Sequence, residues 1–142
     1  MAEDKEIKFD DEVKALIIET LDGNKTGGGD IDTLFRLKDG FVVIEFLRCV
    51  SVPPFKSHPN FYWSYNNLDK RGNKYKFISL WNIAQKTKSK LFLINYEDSR
   101  VQFKVIEVKG IDERKGITEQ VVTQMDFQIF KNWFNKLINQ SV

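Results

Sequence analysis

The stretch GGGDIDTLFRLKDGFVVIEFLRC, residues 27–49, decides the predicted fold, because it contains two apolar segments separated by a tight turn. Residues 31–37 alternate between apolar and polar side chains and predict a strand, and Lys38-Asp39-Gly40 is typical of a hairpin turn. Residues 41–47 are almost continuously apolar, which predicts a strand buried on both faces. We therefore expect a hairpin at the centre of the sheet. Its one anomaly is Glu45, a carboxylate inside the apolar run VVIEFL.

The rest of the chain predicts helices and strands around this hairpin. Apolar residues at helical spacing predict helices at residues 9–21, 74–86 and 126–139. Shorter apolar runs predict strands at residues 91–96 and 101–108, around the turn 97–100. Between the hairpin and the helix at residues 74–86, residues 50–73 form a long connection that contains three prolines. Trp63 is expected to anchor this loop to the core. This order predicts a mixed α/β, or α+β, domain with a central mixed β-sheet flanked by helices.

Length and composition fit a single domain over residues 1–142. The chain is 42% hydrophobic and 13% aromatic, which is enough to build a core. No apolar run approaches the roughly 20 residues that cross a bilayer, and the charged N-terminal segment is no secretory signal. The single cysteine, Cys49, excludes an intrachain disulfide and suits a reducing cytoplasm. We expect a cytoplasmic protein without membrane contact.

The net charge of +2 hides an uneven distribution along the chain. Residues 1–46 contain 6 Lys/Arg and 12 Asp/Glu, a balance of −6, whereas residues 47–90 contain 9 Lys/Arg and one acid, a balance of +8. Residues 91–142 are balanced at 7 of each. Such a basic segment favours an anionic partner, and the alternative is uneven surface charge without a function.

The position of Glu45 suggests a metal site. If the hairpin folds about residues 38–40, the numbers of facing residues sum to about 77 to 79. Glu45 then lies opposite residues 32–34. The Cβ atoms of facing residues lie about 4.5–5.5 Å apart. We expect the carboxylates of Asp32 and Glu45 to come within about 6 Å, where they repel unless a cation joins them. Oxygen ligands with open positions for water and phosphate are typical of Mg²⁺, or Mn²⁺. The alternative is that Glu45 reaches solvent at an edge, and that Asp30 and Asp32 are loop and cap residues.

These residues resemble the PD-(D/E)XK nuclease superfamily, which has the restriction-endonuclease-like fold. The two halves of the matching motif are Gly29-Asp30-Ile31-Asp32 and Val43-Ile44-Glu45-Phe46-Leu47. The resemblance implies that Asp32 and Glu45 hold a divalent metal together with the backbone carbonyl of Phe46, with Asp30 as a further candidate ligand. The predicted element order extends the resemblance over about residues 9–96.

The sequence departs from this family at Leu47, where the family places a lysine that orients the attacking water and stabilises charge at the phosphate. Lys74 or Lys76 on the next predicted helix could replace it, and His58 could act as a base or simply hydrogen-bond within its loop. Arg48 is adjacent but is expected on the opposite face of the strand. The resemblance implies a metal-dependent nuclease acting on DNA or RNA, with DNA favoured. Leu47 leaves open an inactive nucleic-acid-binding or protein-interaction module of the same fold.

Basic and aromatic side chains after Glu45 are candidates for nucleic-acid contacts. The expected phosphate-binding residues are Arg48, Lys56, His58, Lys70 and Arg71. The predicted catalytic set is Asp32, Glu45, Lys74 and Lys76. Tyr62, Trp63 and Tyr65 could stack on bases or pack the loop. The sequence leaves the oligomeric state open, a homodimer included.

Two other candidate sites have weaker support in the sequence than the pair of Asp32 and Glu45. Glu107-Val108-Lys109 is a literal E-x-K, but its nearest upstream acid is Asp98, about 30 Å away along an extended strand. The residue facing Glu107 is expected near Lys90, so no second carboxylate meets it, and we predict a local salt pair at an exposed strand end. A hydrolase based on Cys49 is poorly supported, because His58 is its only candidate partner.

Overall fold

The computed structural model describes residues 34–37, 40–64 and 73–139. The helix predicted at residues 9–21 lies outside these ranges, as do the candidate residues Asp30, Asp32, Lys70 and Arg71. The described elements, in chain order, are β1 (Leu34–Leu37), β2 (Gly40–Arg48), α1 (Lys74–Lys86), β3 (Lys90–Tyr96), β4 (Phe103–Asp112), β5 (Gly116–Met125) and α2 (Phe127–Ile138). Two 3₁₀ turns, Pro54–Lys56 and Pro59–Tyr62, lie between β2 and α1.

The strands form one five-stranded mixed sheet in the order β1-β2-β3-β4-β5. β2 and β3 are parallel, and the other neighbouring pairs are antiparallel. Parallel neighbours need a crossover connection, which here contains both 3₁₀ turns and α1. The predicted α+β class, a mixed sheet with flanking helices, is confirmed.

The register of the first hairpin is the one that the turn predicts. Leu34 pairs with Val43 and Leu37 pairs with Gly40, so partner numbers sum to 77 throughout. This sum lies within the predicted range. The prediction that Asp32 faces Glu45 requires the same sum, but Asp32 itself lies outside the described residues.

Alternating residues of the sheet build two apolar clusters, one on each face. The first cluster contains Val42, Ile44 and Phe46 of β2 and packs against α2 through Phe130, Phe134 and Ile138. The second contains Val43 of β2, Leu91 and Leu93 of β3, and Phe77 and Ala84 of α1. Glu45 alternates with the α2-facing residues and therefore lies on the α1 face.

Both described helices begin and end close to their predicted limits. α1 has no side-chain cap, and instead the backbone N–H groups of Asn73 and Lys74 donate to the carbonyls of Tyr62 (2.7 Å) and Trp63 (3.1 Å). α2 is capped by Asp126, whose carboxylate accepts from the Ile129 amide at 2.8 Å. The long loop therefore fixes where α1 starts, whereas α2 carries its own start signal.

Three features differ from the sequence predictions. β5 was not predicted, because residues 118–124 show no apolar alternation in the sequence. In the structure all seven of these residues are exposed. β4 (Phe103–Asp112) begins two residues later and ends four residues later than the predicted strand at residues 101–108. The hairpin was also expected at the centre, whereas β3 is the middle strand of the described sheet and β1 lies at its end. Within the described ranges, the helices are too short or too polar to span a membrane.

Candidate functional site

A cleft of about 710 Å³ opens at the carboxyl ends of the parallel strands β2 and β3. Its lining comes from the end of β2 and the residues after it, the loop around the second 3₁₀ turn, the start of α1, and the end of β3. Carboxyl ends of neighbouring parallel strands are a frequent place for ligands in α/β sheets. Glu45 and Lys76 both line this cleft.

Glu45 and Lys76 form an ion pair in the cleft, with 2.7 Å between Lys76 Nζ and Glu45 Oε1. The Glu45 side chain is 12% exposed and the Lys76 side chain 45%. A carboxylate so far removed from water is costly unless a cation accompanies it. Lys76, in the first turn of α1, supplies that cation from the helix that covers this face of the sheet. The position of Glu45 inside an apolar strand thus has a physical reason.

The two lysines that sequence analysis could not separate lie in different places. Lys76 contacts Glu45, whereas Lys74 Nζ lies 5.6 Å above the ring of Tyr75. Leu47 lies two residues beyond Glu45 on the same face and packs half-buried against the apolar cluster beneath α1. The ammonium group beside Glu45 therefore comes from a helix, not from the strand position that Leu47 occupies.

Arg48, a predicted phosphate contact, is engaged with a carboxylate. Its Nε and Nη2 donate to the two carboxylate oxygens of Asp98, at 2.9 and 2.7 Å. These hydrogen bonds hold the pKa of Asp98 below its ordinary value. A phosphate at Arg48 would have to compete with Asp98. Lys56, another predicted contact, is exposed in the first 3₁₀ turn.

The loop between β2 and α1, which forms one side of the cleft, is hydrogen-bonded to the sheet by side chains that the sequence analysis did not identify. Asn95, only 2% exposed, donates to the carbonyls of Pro54 (3.4 Å) and Ser57 (3.1 Å). Lys104 Nζ also donates to the Ser57 carbonyl at 2.8 Å, and burial lowers the pKa of Lys104. The available signal was an amide inside the apolar strand LFLINY, an anomaly of the same kind as Glu45.

A second set of contacts holds the loop against β5 and its turn. Asn60 donates to the carbonyl of Ile117 (3.0 Å) and accepts from the Ile117 amide (2.8 Å). Trp63 is 3% exposed, and its indole N–H donates to the carbonyl of Glu113 at 2.8 Å. The predicted anchoring role of Trp63 is confirmed.

We expect Gly116→Ala to destabilise the protein by about 1–3 kcal/mol, because Gly116 has a positive φ of 96° that L side chains rarely adopt. A Cβ there would also overlap the side-chain amide of Asn60, with Oδ1 as the nearest atom. Urea unfolding measures the loss. Gly110→Ala is the matched control, since its Cβ would meet Glu119 no closer than 3.4 Å. Equal stability of the two variants would contradict the role of Gly116 in seating Asn60.

His58 has the role of a loop hydrogen-bonder. Its Nδ1 accepts from the Asn60 amide at 3.0 Å, so Nε2 carries the proton and pairs with Gln120 Oε1 at 2.7 Å. Burial lowers the pKa of His58 below its ordinary value of 6.5. Both ring nitrogens are engaged in this arrangement, which disfavours His58 as the general base.

The rival motifs have structural explanations. Glu107 pairs with Lys109 at 2.9 Å, the local salt pair that was predicted. It lies inside β4, not at the predicted strand end. On β3 it faces Phe92, two residues from Lys90, so no carboxylate meets it from that strand, as predicted. Burial raises the pKa of the Cys49 thiol, which opposes formation of the nucleophilic thiolate.

The ligand set predicted for a metal is only partly described. Among the described residues, no group of three His, Cys, Asp or Glu side chains is placed to hold a metal ion. Glu45 is the one predicted carboxylate ligand within these ranges, since Asp30 and Asp32 lie outside them. Comparison of the chain with protein-family models, curated proteins and solved structures found no match.

Proposed function

We propose that this protein is a metal-dependent nuclease of the PD-(D/E)XK type, with a restriction-endonuclease-like fold, which hydrolyses phosphodiester bonds in the cleft. The proposal is supported by the ion pair between Glu45 and Lys76 at the carboxyl ends of β2 and β3. The motif needs an acid in this strand and an ammonium group beside it. In this protein the acid is Glu45. The ammonium group is that of Lys76 on α1, because the strand position of the family's lysine is Leu47.

The proposed roles follow from the chemistry of each group. Asp32 and Glu45, with Asp30 as a further candidate, would hold Mg²⁺ or Mn²⁺, and a carboxylate such as Glu45 is the hard oxygen donor that these ions take. Such an ion, when bound, would supply Lewis-acid polarisation of the phosphate and a water of lowered pKa. Lys76 orients the attacking water and stabilises negative charge at the phosphate. Its contact with Glu45 keeps the ammonium group at the cleft.

The substrate in this proposal is nucleic acid, with DNA favoured over RNA. Support comes from the balance of +8 over residues 47–90, a segment that supplies much of the cleft lining. Lys56 and Arg48 are exposed predicted contacts within the described ranges, and Arg48 is engaged with Asp98. Phosphate contacts of this kind make affinity fall steeply with salt. A cytoplasmic location belongs to the same proposal and is supported by the single cysteine.

The test of this function is the Glu45→Ala variant. We expect it to lose cleavage of labelled oligonucleotides in Mg²⁺ or Mn²⁺ while it keeps most of its affinity for them, because phosphate contacts supply that affinity. Glu45→Gln, which keeps the size of the side chain, is the second variant. Thermal unfolding of both shows whether the fold survives. Cleavage at the wild-type rate by either folded variant would contradict the proposal.

The alternative function is a nucleic-acid-binding module of the same fold that does not cut. It is favoured by the packing of Leu47, which leaves the strand position of the family's lysine apolar. Wild-type protein that binds oligonucleotides but cleaves none in either metal would support this alternative over the nuclease.

A further inference from the structure

Two consecutive aromatic side chains are exposed at the second 3₁₀ turn. Phe61 is 65% exposed and Tyr62 is 44% exposed. Single exposed apolar residues are common on protein surfaces and need no explanation. Here the two rings are neighbours in sequence, and Tyr62 lines the cleft that contains Glu45 and Lys76. Tyr62 is therefore part of the proposed site, and Phe61 is its exposed neighbour in sequence outside the cleft lining.

The backbone that carries these rings is fixed on both sides. Before them, the side chain of Asn60 exchanges two hydrogen bonds with Ile117. After them, Trp63 is buried and bonded to Glu113. The carbonyl of Tyr62 accepts from the Asn73 amide ahead of α1. Because their backbone is held in this way, Phe61 and Tyr62 are exposed by a fixed loop and not by local unfolding.

The surroundings of the two rings match the chemistry of unpaired nucleobases. Proteins that bind single strands combine cationic contacts to the backbone with aromatic rings on which bases stack. Tyr62 shares the cleft with Lys76, and Lys56 lies in the preceding 3₁₀ turn. Bases inside a duplex already stack on each other, so their faces are not available to such rings. Exposed aromatic rings beside lysine side chains therefore favour nucleic acid with unpaired bases over a duplex.

We infer that Phe61 and Tyr62 form a stacking platform for unpaired bases, so that the ligand of the cleft is single-stranded nucleic acid or a single-stranded end. This inference deepens the proposed function and rests on it for the identification of the cleft as the nucleic-acid site. A base stacked on Tyr62 keeps its neighbouring phosphates close to the pair formed by Glu45 and Lys76.

The experiment is fluorescence anisotropy in EDTA, where cleavage does not interfere. The probes are labelled oligo(dT) and oligo(U) of about 12 nucleotides, within the site sizes of single-strand-binding domains, and a duplex of the same length. We expect wild type to bind one or both single strands at least about tenfold more tightly than the duplex. Tyr62→Ala and Phe61→Ala should each weaken single-strand binding by about five- to a hundredfold, with little change for the duplex.

Tyr75→Ala is the matched control for Tyr62→Ala, because Tyr75 is 78% exposed on α1 and, unlike Tyr62, does not line the cleft. Thermal unfolding of all three variants should match wild type, since the rings are exposed. The inference is overturned if wild type shows no preference for single strands or binds no oligonucleotide. It is also overturned if Tyr75→Ala weakens binding as much as Tyr62→Ala does.

The outcome separates this inference from the proposed nuclease. Wild type that binds single strands through Tyr62 but cleaves nothing in Mg²⁺ or Mn²⁺ supports the stacking platform and contradicts the nuclease. A protein that cleaves duplex DNA through Glu45, with Tyr62→Ala unchanged in binding, contradicts the platform and supports the nuclease.

Discussion

The Lys76→Ala variant is expected to cleave nucleic acid about 10²-fold more slowly than wild type, or slower still, while Lys74→Ala stays close to wild type. The two lysines carry the same charge and are two residues apart, but Lys76 Nζ lies 2.7 Å from Glu45 Oε1 and Lys74 Nζ lies over Tyr75. If Lys76 acts on the transition state, its loss should lower kcat with little effect on KM. Single-turnover and steady-state rates on a labelled oligonucleotide measure both quantities.

Lys76 also compensates the charge of a nearly buried carboxylate, so its removal has a structural cost that must be measured separately. Urea unfolding of Lys76→Ala shows how much stability is lost when Glu45 keeps its charge without this partner. Lys76→Arg retains the ion pair but changes the geometry and acidity of the donor. An unchanged rate in Lys76→Ala would contradict the catalytic role. Equal slowing in Lys74→Ala would show that general loss of positive charge is responsible.

Phe130→Ala is expected to destabilise the protein by about 3–5 kcal/mol, the usual cost of truncating a buried phenylalanine. Phe130 is fully buried and stacks on Phe103, with ring centroids 4.2 Å apart and planes only 4° from parallel. It also contacts Phe46 of β2 edge-on, at 6.4 Å between centroids. The substitution would therefore leave a cavity between α2 and the strand that carries Glu45.

Ile129→Ala is the matched control for Phe130→Ala, because Ile129 is the preceding residue of α2 but is 52% exposed. We expect the control to cost less than about 1 kcal/mol, since exposed substitutions rarely cost more. Urea unfolding at constant m-value measures both. Similar losses in the two variants would contradict the assignment of Phe130 to the core between α2 and the sheet.

The sequence alone determined the elements whose signals are local. The turn signal in the sequence Lys38-Asp39-Gly40 predicted the register that β1 and β2 have, because two-residue periodicity and turn chemistry act over a few neighbouring residues. Helical spacing of apolar residues determined α1 and α2 in the same way. Glu45 inside an apolar strand also stood out from the sequence alone, and the metal ion predicted beside it stays a prediction. The periodicity and turn signals are decided before distant parts of the chain meet.

The tertiary structure decided what depends on distant parts of the chain. β5 carries no apolar alternation, and it is a strand because β4 supplies its hydrogen-bonding partner. Lys74 and Lys76 are equivalent in sequence, but two residues turn about 200° around a helix, so packing of α1 on the sheet brings Lys76 to Glu45. Asn95 meets the carbonyls of Pro54 and Ser57 across some 40 residues. Such contacts have no local signal, because their geometry is set by the packing of whole elements.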